Sequence, residues 1–495
     1  MNRIKFAGKI LFLTGFLLGS IFNAFAQTSG EGLPKEVKWM YDDAQWGISH
    51  HFLAGGTLNN AYYMITDYEQ WDHYISNFDV KSYAKRAKKM GVGFVMFTIT
   101  QNRGYLCTTS KIWDEHAPPC PSAKRSPGSK NQLGTNRADY TPSRDLIGDL
   151  AKALKKEGIK TIVYIPYHVC DRWTGEQVRP SQYPDWYVVD FLSDLAQRWG
   201  KNVAGWWFDG LWEIRKSEQA NDFPVLTKIY NSIKSGNPDA VMGCNYGITN
   251  FGPNTSYVTH DKFAHFTGGE YNTLPQIPTN RVVKGYNSKK VQYFGWTYTS
   301  KDHPVFAGWG QIKLNLKFPD KKIADHTLKA RAGGGVSAWD VAINMDGTWP
   351  LDRLKQIQTV GLATGTTKGD SYASLSLIND NDKSIDYNGE WETAQNTGTG
   401  AYKQDIHRTT RNGDSYSYSF AGKSIVLATS IAPDQGDVEI FIDGKSQGVF
   451  STNDPYRKQI QTIIFEKHNL KNKKHTLKVV KISGKYMVAD LIGVK

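Results

Sequence analysis

Residues 143–167, SRDLIGDLAKALKKEGIKTIVYIPY, hold a helix and a strand in one unbroken run, and reading them in turn decides the fold. Ile147, Leu150, Ala151 and Leu154 recur at i, i+3, i+4 and i+7, which gives a helix one apolar face. Ser143 stands where an N-cap acceptor is needed, and Gly158 where the chain must leave the helix through a left-handed turn. The β-branched and aromatic run KTIVYIPY (160–167) then reads as a buried strand.

The same phrase repeats outward in both directions. Asp79 precedes the helical VKSYAKRAKKM with Gly91 at its end, and Leu192, Leu195, Ala196 and Trp199 form another apolar face. Further strands are expected at WGISHHF (46–52), GFVMFTIT (93–100), VAGWWFD (203–209), AVMGCNY (240–246) and VQYFGWTY (291–298). Strands alternating with helices over about 320 residues, without a Gly-rich phosphate loop after an early strand, predict a TIM-like (β/α) barrel rather than an open nucleotide-binding sheet.

The small, polar stretch GLATGTTKGD (361–370) reads as a linker, after which helical periodicity stops. Runs such as SYSYSFAG, SIVLATSI, DVEIFIDGK and HTLKVVKIS, spaced by Gly, Asn and Asp turns, predict a small all-β sandwich. The expected organisation is therefore a barrel over 27–365 and a sandwich over 366–495. Trp391, Tyr402, Tyr416 and Tyr456 are the sandwich aromatics suited to stacking on sugar, alongside their plainer use in packing.

Residues 1–26 have the layout of a secretory signal peptide: Arg3, Lys5 and Lys9, the apolar ILFLTGFLLGSIF, then Ala-Phe-Ala at 24–26. A secreted or periplasmic protein is expected. No run approaches the roughly 20 apolar residues of a membrane span. The formal charge is +13, but three of those charges fall in the leader and the remaining lysines are scattered, which disfavours a nucleic-acid partner. Of the four cysteines, Cys107 and Cys120 flank a Pro-rich loop and are the candidates for a bridge, while Cys170 and Cys244 read as buried thiols near strand ends. Their spacing fits no zinc site, and neither metal nor organic cofactor is expected.

Barrel chemistry gathers at the C-terminal ends of the strands. Asp209, closing VAGWWFD before Gly210, is the clearest such residue, with Trp206 and Trp207 at its base. A helix cap or ion pair would also place an Asp there, but the aromatic setting favours a sugar site.

Several motifs, taken in order, resemble the alpha-L-fucosidases of glycoside hydrolase family 29 across most of residues 40 to 365. WGISHHF resembles the family's Phe-Gly-Ile-x-x-His-Trp-Gly strand, and FDVKSYAKRAKKMGVGFVMFT and residues 143–167 resemble its next units. GWWFDG resembles the nucleophile strand Leu-Trp-Phe-Asp-Gly, and GGGVSAWDVAINMDGTWPLDRLKQIQTVG (333–361) resembles the closing segment. The resemblance implies an exo-acting retaining glycosidase whose nucleophile is Asp209, acting on a terminal fucose or fucose-like sugar of an oligosaccharide or polysaccharide. It implies an acid/base from a later loop, for which Glu270 in DKFAHFTGGEYN is the first candidate and Asp261 and Glu213 are substitutes. It also aligns His51 with a sugar-binding histidine and places Trp71, Trp207, His168 and Trp296 on the pocket walls, although each has a packing or hydrogen-bonding alternative.

One departure stands out. Where fucosidases carry Lys-His-His-Asp-Gly-Phe, this chain has Thr100, Gln101, Asn102, Arg103, Gly104 and Tyr105. Amides replace two hydroxyl-binding imidazoles, so a different or decorated sugar is expected to suit the site, with Arg103 able to pair with an anionic substituent. The competing reading is a non-catalytic glycan-binding protein on a glycosidase scaffold. A metal-dependent lyase or deacetylase lacks any His/Asp cluster at ligand spacing.

Overall fold

The computed structural model describes residues 29–54, 68–101, 105–116, 141–166, 184–211, 223–247, 259–304, 307–456 and 458–495. Seven parallel strands form the first sheet: β1 (Trp46–His50), β2 (Phe94–Thr98), β3 (Lys160–Pro166), β4 (Gly205–Asp209), β5 (Val241–Cys244), β6 (Phe294–Tyr298) and β7 (Val336–Asp340). Their order is β5-β4-β3-β2-β1-β7-β6. The gap between β5 and β6 is bridged by an irregular segment, His265–Tyr271. His265 donates to the Met242 carbonyl on one side, and on the other Trp296 donates to Gly269 while Tyr271 donates to Trp296. This segment takes the eighth place of the barrel.

Alternation along each strand sorts the side chains. Val95, Phe97, Val163, Ile165, Trp206 and Phe208 face the helices, while Phe94, Met96, Ile162, Tyr164, Trp207, Trp296 and Ala338 fill the interior. Trp206 therefore stacks on Trp199 of the outer layer, 5.8 Å between centroids, and only Trp207 of the expected pair faces inward. Leu33, Val37, Met40 and Ala44 join the interior cluster from the segment before β1.

The helices follow the predicted faces. In Leu146–Lys156 the four residues of the apolar repeat are buried, each worth roughly 1.5–3 kcal/mol for the larger side chains. The cap differs from expectation: Asp145, not Ser143, accepts from the Gly148 amide, because Ser143 is engaged by Asp72 through both its amide and its hydroxyl. Asp79 caps Val80–Met90 by accepting from Lys81 and Ser82, and Gly91 closes it with φ 81°. The first four residues of the expected linker are the last helical turn of Leu351–Thr364, whose apolar spacing continues through Val360 and Gly361 against Met90.

The expected Cys107–Cys120 bridge is not formed. Cys107 is a buried free thiol directed at the Phe52 carbonyl, and burial pushes its pKa up. Cys244 is likewise buried and free, at the end of β5; Cys120 and Cys170 lie outside the described residues.

Three antiparallel sheets follow, the smallest pairing Glu392–Ala394, Ile406–Thr409 and Met487–Ala489, and two larger ones making the sandwich. One pairs Ser376–Asn379, Leu491–Val494, Ile425–Ile431 and Gln459–Lys467; the other pairs Ile385–Asn388, Ser415–Gly422, Lys473–Lys481, Asp437–Ile442 and Lys445–Ser451. Ile440, Leu477, Val479, Leu427 and Ile492 fill the space between them. Val426, Ala428 and Ile460 point the other way, into the barrel's helix layer. At that junction the buried Asn344 donates to the Ile460 carbonyl at 3.0 Å and accepts from its amide at 3.0 Å. Asn344→Ala leaves both backbone groups buried and unpaired, a cost on the order of 3 kcal/mol. A lowered thermal midpoint with little change in turnover is the expected result, read by calorimetry and steady-state kinetics.

Candidate active site

At the C-terminal mouth of the barrel the interior phase of each strand ends on a polar side chain. Asp209 follows Trp207 by two residues on β4, Asn245 follows Gly243 on β5, Asp340 follows Ala338 on β7, and His51 follows Ser49 on β1. Glu270 joins them from the eighth position. Gly269 permits this: its φ is 68°, and a Cβ there would lie 2.3 Å from the Phe294 carbonyl oxygen.

Asp209 is held at both oxygens. Tyr164 donates its hydroxyl to Oδ2 at 2.6 Å, while Asn245 Nδ2 and the Gly210 amide donate to Oδ1 at 2.7 and 2.9 Å. The same Asn245 nitrogen donates to Glu270 Oε2 at 2.6 Å. The nearest oxygens of the two carboxyls are thus no farther apart than the sum of those two bonds. Burial, and then the charge of Asp209, push Glu270 up to about 8, against smaller opposing effects from Asn245 and His51.

His51 completes the charge balance. Its Nδ1 bonds Asp340 Oδ1 at 2.8 Å, and Asp340 is fixed by the Ser49 hydroxyl and the Gly310 amide. Burial works against the charged ring, but Asp340, with Asp209 and Glu270, outweighs it and raises His51 above its ordinary value. With Nδ1 committed, Nε2 is the nitrogen left for a ligand. The ring lies parallel to Trp296, 5.6 Å between centroids at 6°, with Trp309 at 5.5 Å.

The expected wall residues divide. Trp207 and Trp296 are almost fully buried beneath the carboxyls: Trp207 stacks on Tyr164 and donates to the Gly268 carbonyl, and Trp296 donates to Ser49. Trp71 is buried against Phe52 and Tyr105 and donates to Leu106, a packing environment rather than a wall of this cluster. Gln101 is partly buried at the end of β2, its Oε1 without a hydrogen-bond partner among the described residues. Asn102, Arg103, His168 and Glu213 lie outside the described residues. Asp261 is engaged elsewhere, accepting from the Phe263 and Ala264 amides and from Tyr246.

Sequence reasoning passed over Tyr164, Asn245, Asp340 and Trp309. The rule that found Asp209, a polar residue where an apolar strand stops, also marks Asn245 in AVMGCNY and Asp340 in VSAWD. No comparable signal marks Trp309, which comes from a loop.

On the sandwich, Tyr416 is buried, Trp391 packs on Tyr387, Tyr402 is half-buried, and Tyr456 lies against His73 and Tyr74 of the barrel. A separate cavity of about 380 Å³ is lined by Asp380, Asp405, Tyr387 and His407, among others.

Strand ends that converge two carboxyls, an imidazole and buried aromatics on one mouth define a sugar-cleaving barrel. The alpha-L-fucosidase family model matches residues 27–362. The chain belongs to that family and is a glycoside hydrolase acting on O-glycosyl bonds. Among solved structures it is similar to the alpha-L-fucosidase of Vibrio sp. strain EJY3, at 14% identity over 96% of this chain and 99% of that one, TM-score 0.46. The alpha-L-fucosidase of Lactobacillus casei in complex with alpha-L-fucose is 16% identical over 66% and 98%, TM-score 0.44. An endo-fucoidan hydrolase of glycoside hydrolase family 107 is 14% identical over 69% and 97%, TM-score 0.47. No curated protein matches.

Asp340→Asn tests the electrostatics of the cluster. Losing that charge is expected to bring the His51 titration down, read by NMR. It should also weaken substrate capture by about 1.5–3 kcal/mol, on the order of 10- to 100-fold in kcat/KM.

Proposed function

We propose that the protein is a secreted, exo-acting alpha-L-fucosidase-like hydrolase that removes a terminal fucose or fucose-like sugar with net retention. The observation that carries this reading is the single amide that touches both Asp209 and Glu270. Retaining enzymes need their two carboxyls about 5–5.5 Å apart, whereas inverting enzymes need room for a water between them, and the Asn245 bridge caps the separation of the nearest oxygens near the retaining value.

Asp209 attacks the anomeric carbon as a carboxylate, its charge stabilised by three donors. Glu270, pushed up to about 8, is the acid that protonates the departing oxygen at neutral pH. The new bond joins the Asp209 oxygen to the anomeric carbon as the glycosidic bond breaks. Water then attacks the same carbon, gives its proton to Glu270 and releases Asp209. His51 Nε2 and Gln101 Oε1 are the atoms offered to sugar hydroxyls, with Asn102, Arg103 and His168 assigned to the same pocket from the sequence. Amides at 101 and 102 in place of imidazoles favour a sugar whose hydroxyl pattern or decoration differs from plain fucose. An intact nucleophile held by three donors supports catalysis over a purely binding role. The leader-like residues 1–26 support export.

Two measurements test the assignment. On a panel of aryl glycosides (alpha-L-fucoside, alpha-L-galactoside, beta-D-arabinoside and sulfated forms), Asp209→Ala should lose on the order of 10⁴-fold or more in kcat. A folded variant that keeps turnover would remove Asp209 from the chemistry. In the wild type, kcat/KM should fall as pH rises through about 8, where free Glu270 loses its proton. A profile flat to pH 9.5 would remove Glu270 from the acid role.

A further inference from the structure

Asn245 is a buried side chain, 1% exposed, on the interior phase of β5, and its orientation is fixed. The Gly247 amide donates to Oδ1 at 3.1 Å, so Nδ2 is the atom turned toward the carboxyls. An amide nitrogen carries two protons, and here each is given to a different carboxyl, Asp209 and Glu270. The backbone adds to this coupling: the Asn245 amide donates to Phe208, and Leu211 donates back to Asn245, which ties the end of β5 to both sides of Asp209.

We propose that Asn245 is the positioning residue of the retaining pair, holding both carboxyls at reacting distance and favouring the ionised form of Glu270 that the second half-reaction requires. The inference rests on the assignment of Asp209 and Glu270 given above.

The charges around Glu270 show why such a residue is needed. Asp209 on β4 repels a negative Glu270, and His51 on β1 attracts it. Asp340 on β7 is already paired with His51, Tyr164 on β3 faces the cluster as a hydroxyl bonded to Asp209, and the Tyr298 hydroxyl on β6 is turned away to Asn272 and Asp302. In the free enzyme burial, with the Asp209 charge adding to it, keeps the proton on Glu270, as the first step needs. Once Asp209 is esterified its charge is gone, and Glu270, having given its proton to the leaving oxygen, must persist as a buried carboxylate until water arrives. Asn245 Nδ2 and His51 are then what stabilise it. Removing the amide should cost the second step more than the first, because an aryl leaving group needs little acid help whereas attack by water needs the base.

The experiment uses the full chain and the aryl glycoside that the wild type turns over fastest. In Asn245→Ala the alkaline limb of kcat/KM is expected to move up by about one pH unit, since an opposing influence on Glu270 is lost. Turnover should fall on the order of 10- to 100-fold with KM falling alongside it, and the aryl alcohol should appear in a pre-steady-state burst as glycosyl-enzyme accumulates. Asn245→Ser, which keeps a single donor, should fall between the two and serves if the Ala variant does not fold. An unmoved limb, no burst and an equal loss in kcat and kcat/KM would overturn the inference and leave Asn245 a structural residue. Survival of activity in Asp209→Ala is a separate result: it would overturn the catalytic pair itself, and this role with it.

Discussion

Two partly buried carboxyl groups within reach of one amide repel each other, and the mouth of this barrel is built around that repulsion. Left alone, burial and mutual charge would drive both toward the neutral acid. The surrounding side chains separate their fates instead. Asp209 collects three donors, whereas among the described residues Glu270 has the shared amide and the more distant His51 charge against burial. Asp340 supplies the counter-charge that, against burial, favours the protonated ring of His51 beside both. The Gly269 turn exists for the same purpose, since only a residue without Cβ lets the eighth segment pass close enough to β6 to deliver Glu270.

Rigidity below the site comes from aromatic filling. Tyr164, Trp207, Trp296 and Trp309 pack on one another within the barrel mouth, and their polar atoms reach Asp209, Gly268, Ser49 and Asn272. The floor of the site and its hydrogen-bond scaffold are therefore the same residues, which fixes their rotamers. The sandwich extends this support from outside: Asn344 and the Met345 amide, just beyond β7, are held by Ile460 and Gln459.

The barrel was legible in the sequence because strand and helix alternate with clean periods, and because caps such as Asp79 and Gly91 mark the boundaries. Ser143 misled as a cap since a hydroxyl three residues ahead of a helix looks the same whether it faces the helix or Asp72. Asp209 stands out as the polar end of an apolar strand, and Glu270 is a candidate only because the family resemblance calls for an acid from a later loop; the structure brings both to the same amide. Asn245 ends its apolar run as Asp209 does but is not singled out, because a neutral amide shows no role until the two carboxyls it joins are placed. The cysteine pairing failed for a related reason: spacing around a loop says nothing of the burial that makes Cys107 a core thiol. Trp71 and Trp206 show that a tryptophan near a site motif is as readily packing as platform, and strand phase is what separates Trp206 from Trp207.

With Asp209 attacking the anomeric carbon and Glu270 giving its proton to the departing oxygen, the proposed reaction retains the anomeric configuration. Proton NMR of the first product released from an aryl glycoside, recorded before mutarotation, tests it most directly. The free sugar is expected to appear first as the same anomer as the substrate and only later to equilibrate. First appearance of the opposite anomer would mean direct attack by water, and would contradict the pairing of these two residues as nucleophile and acid/base.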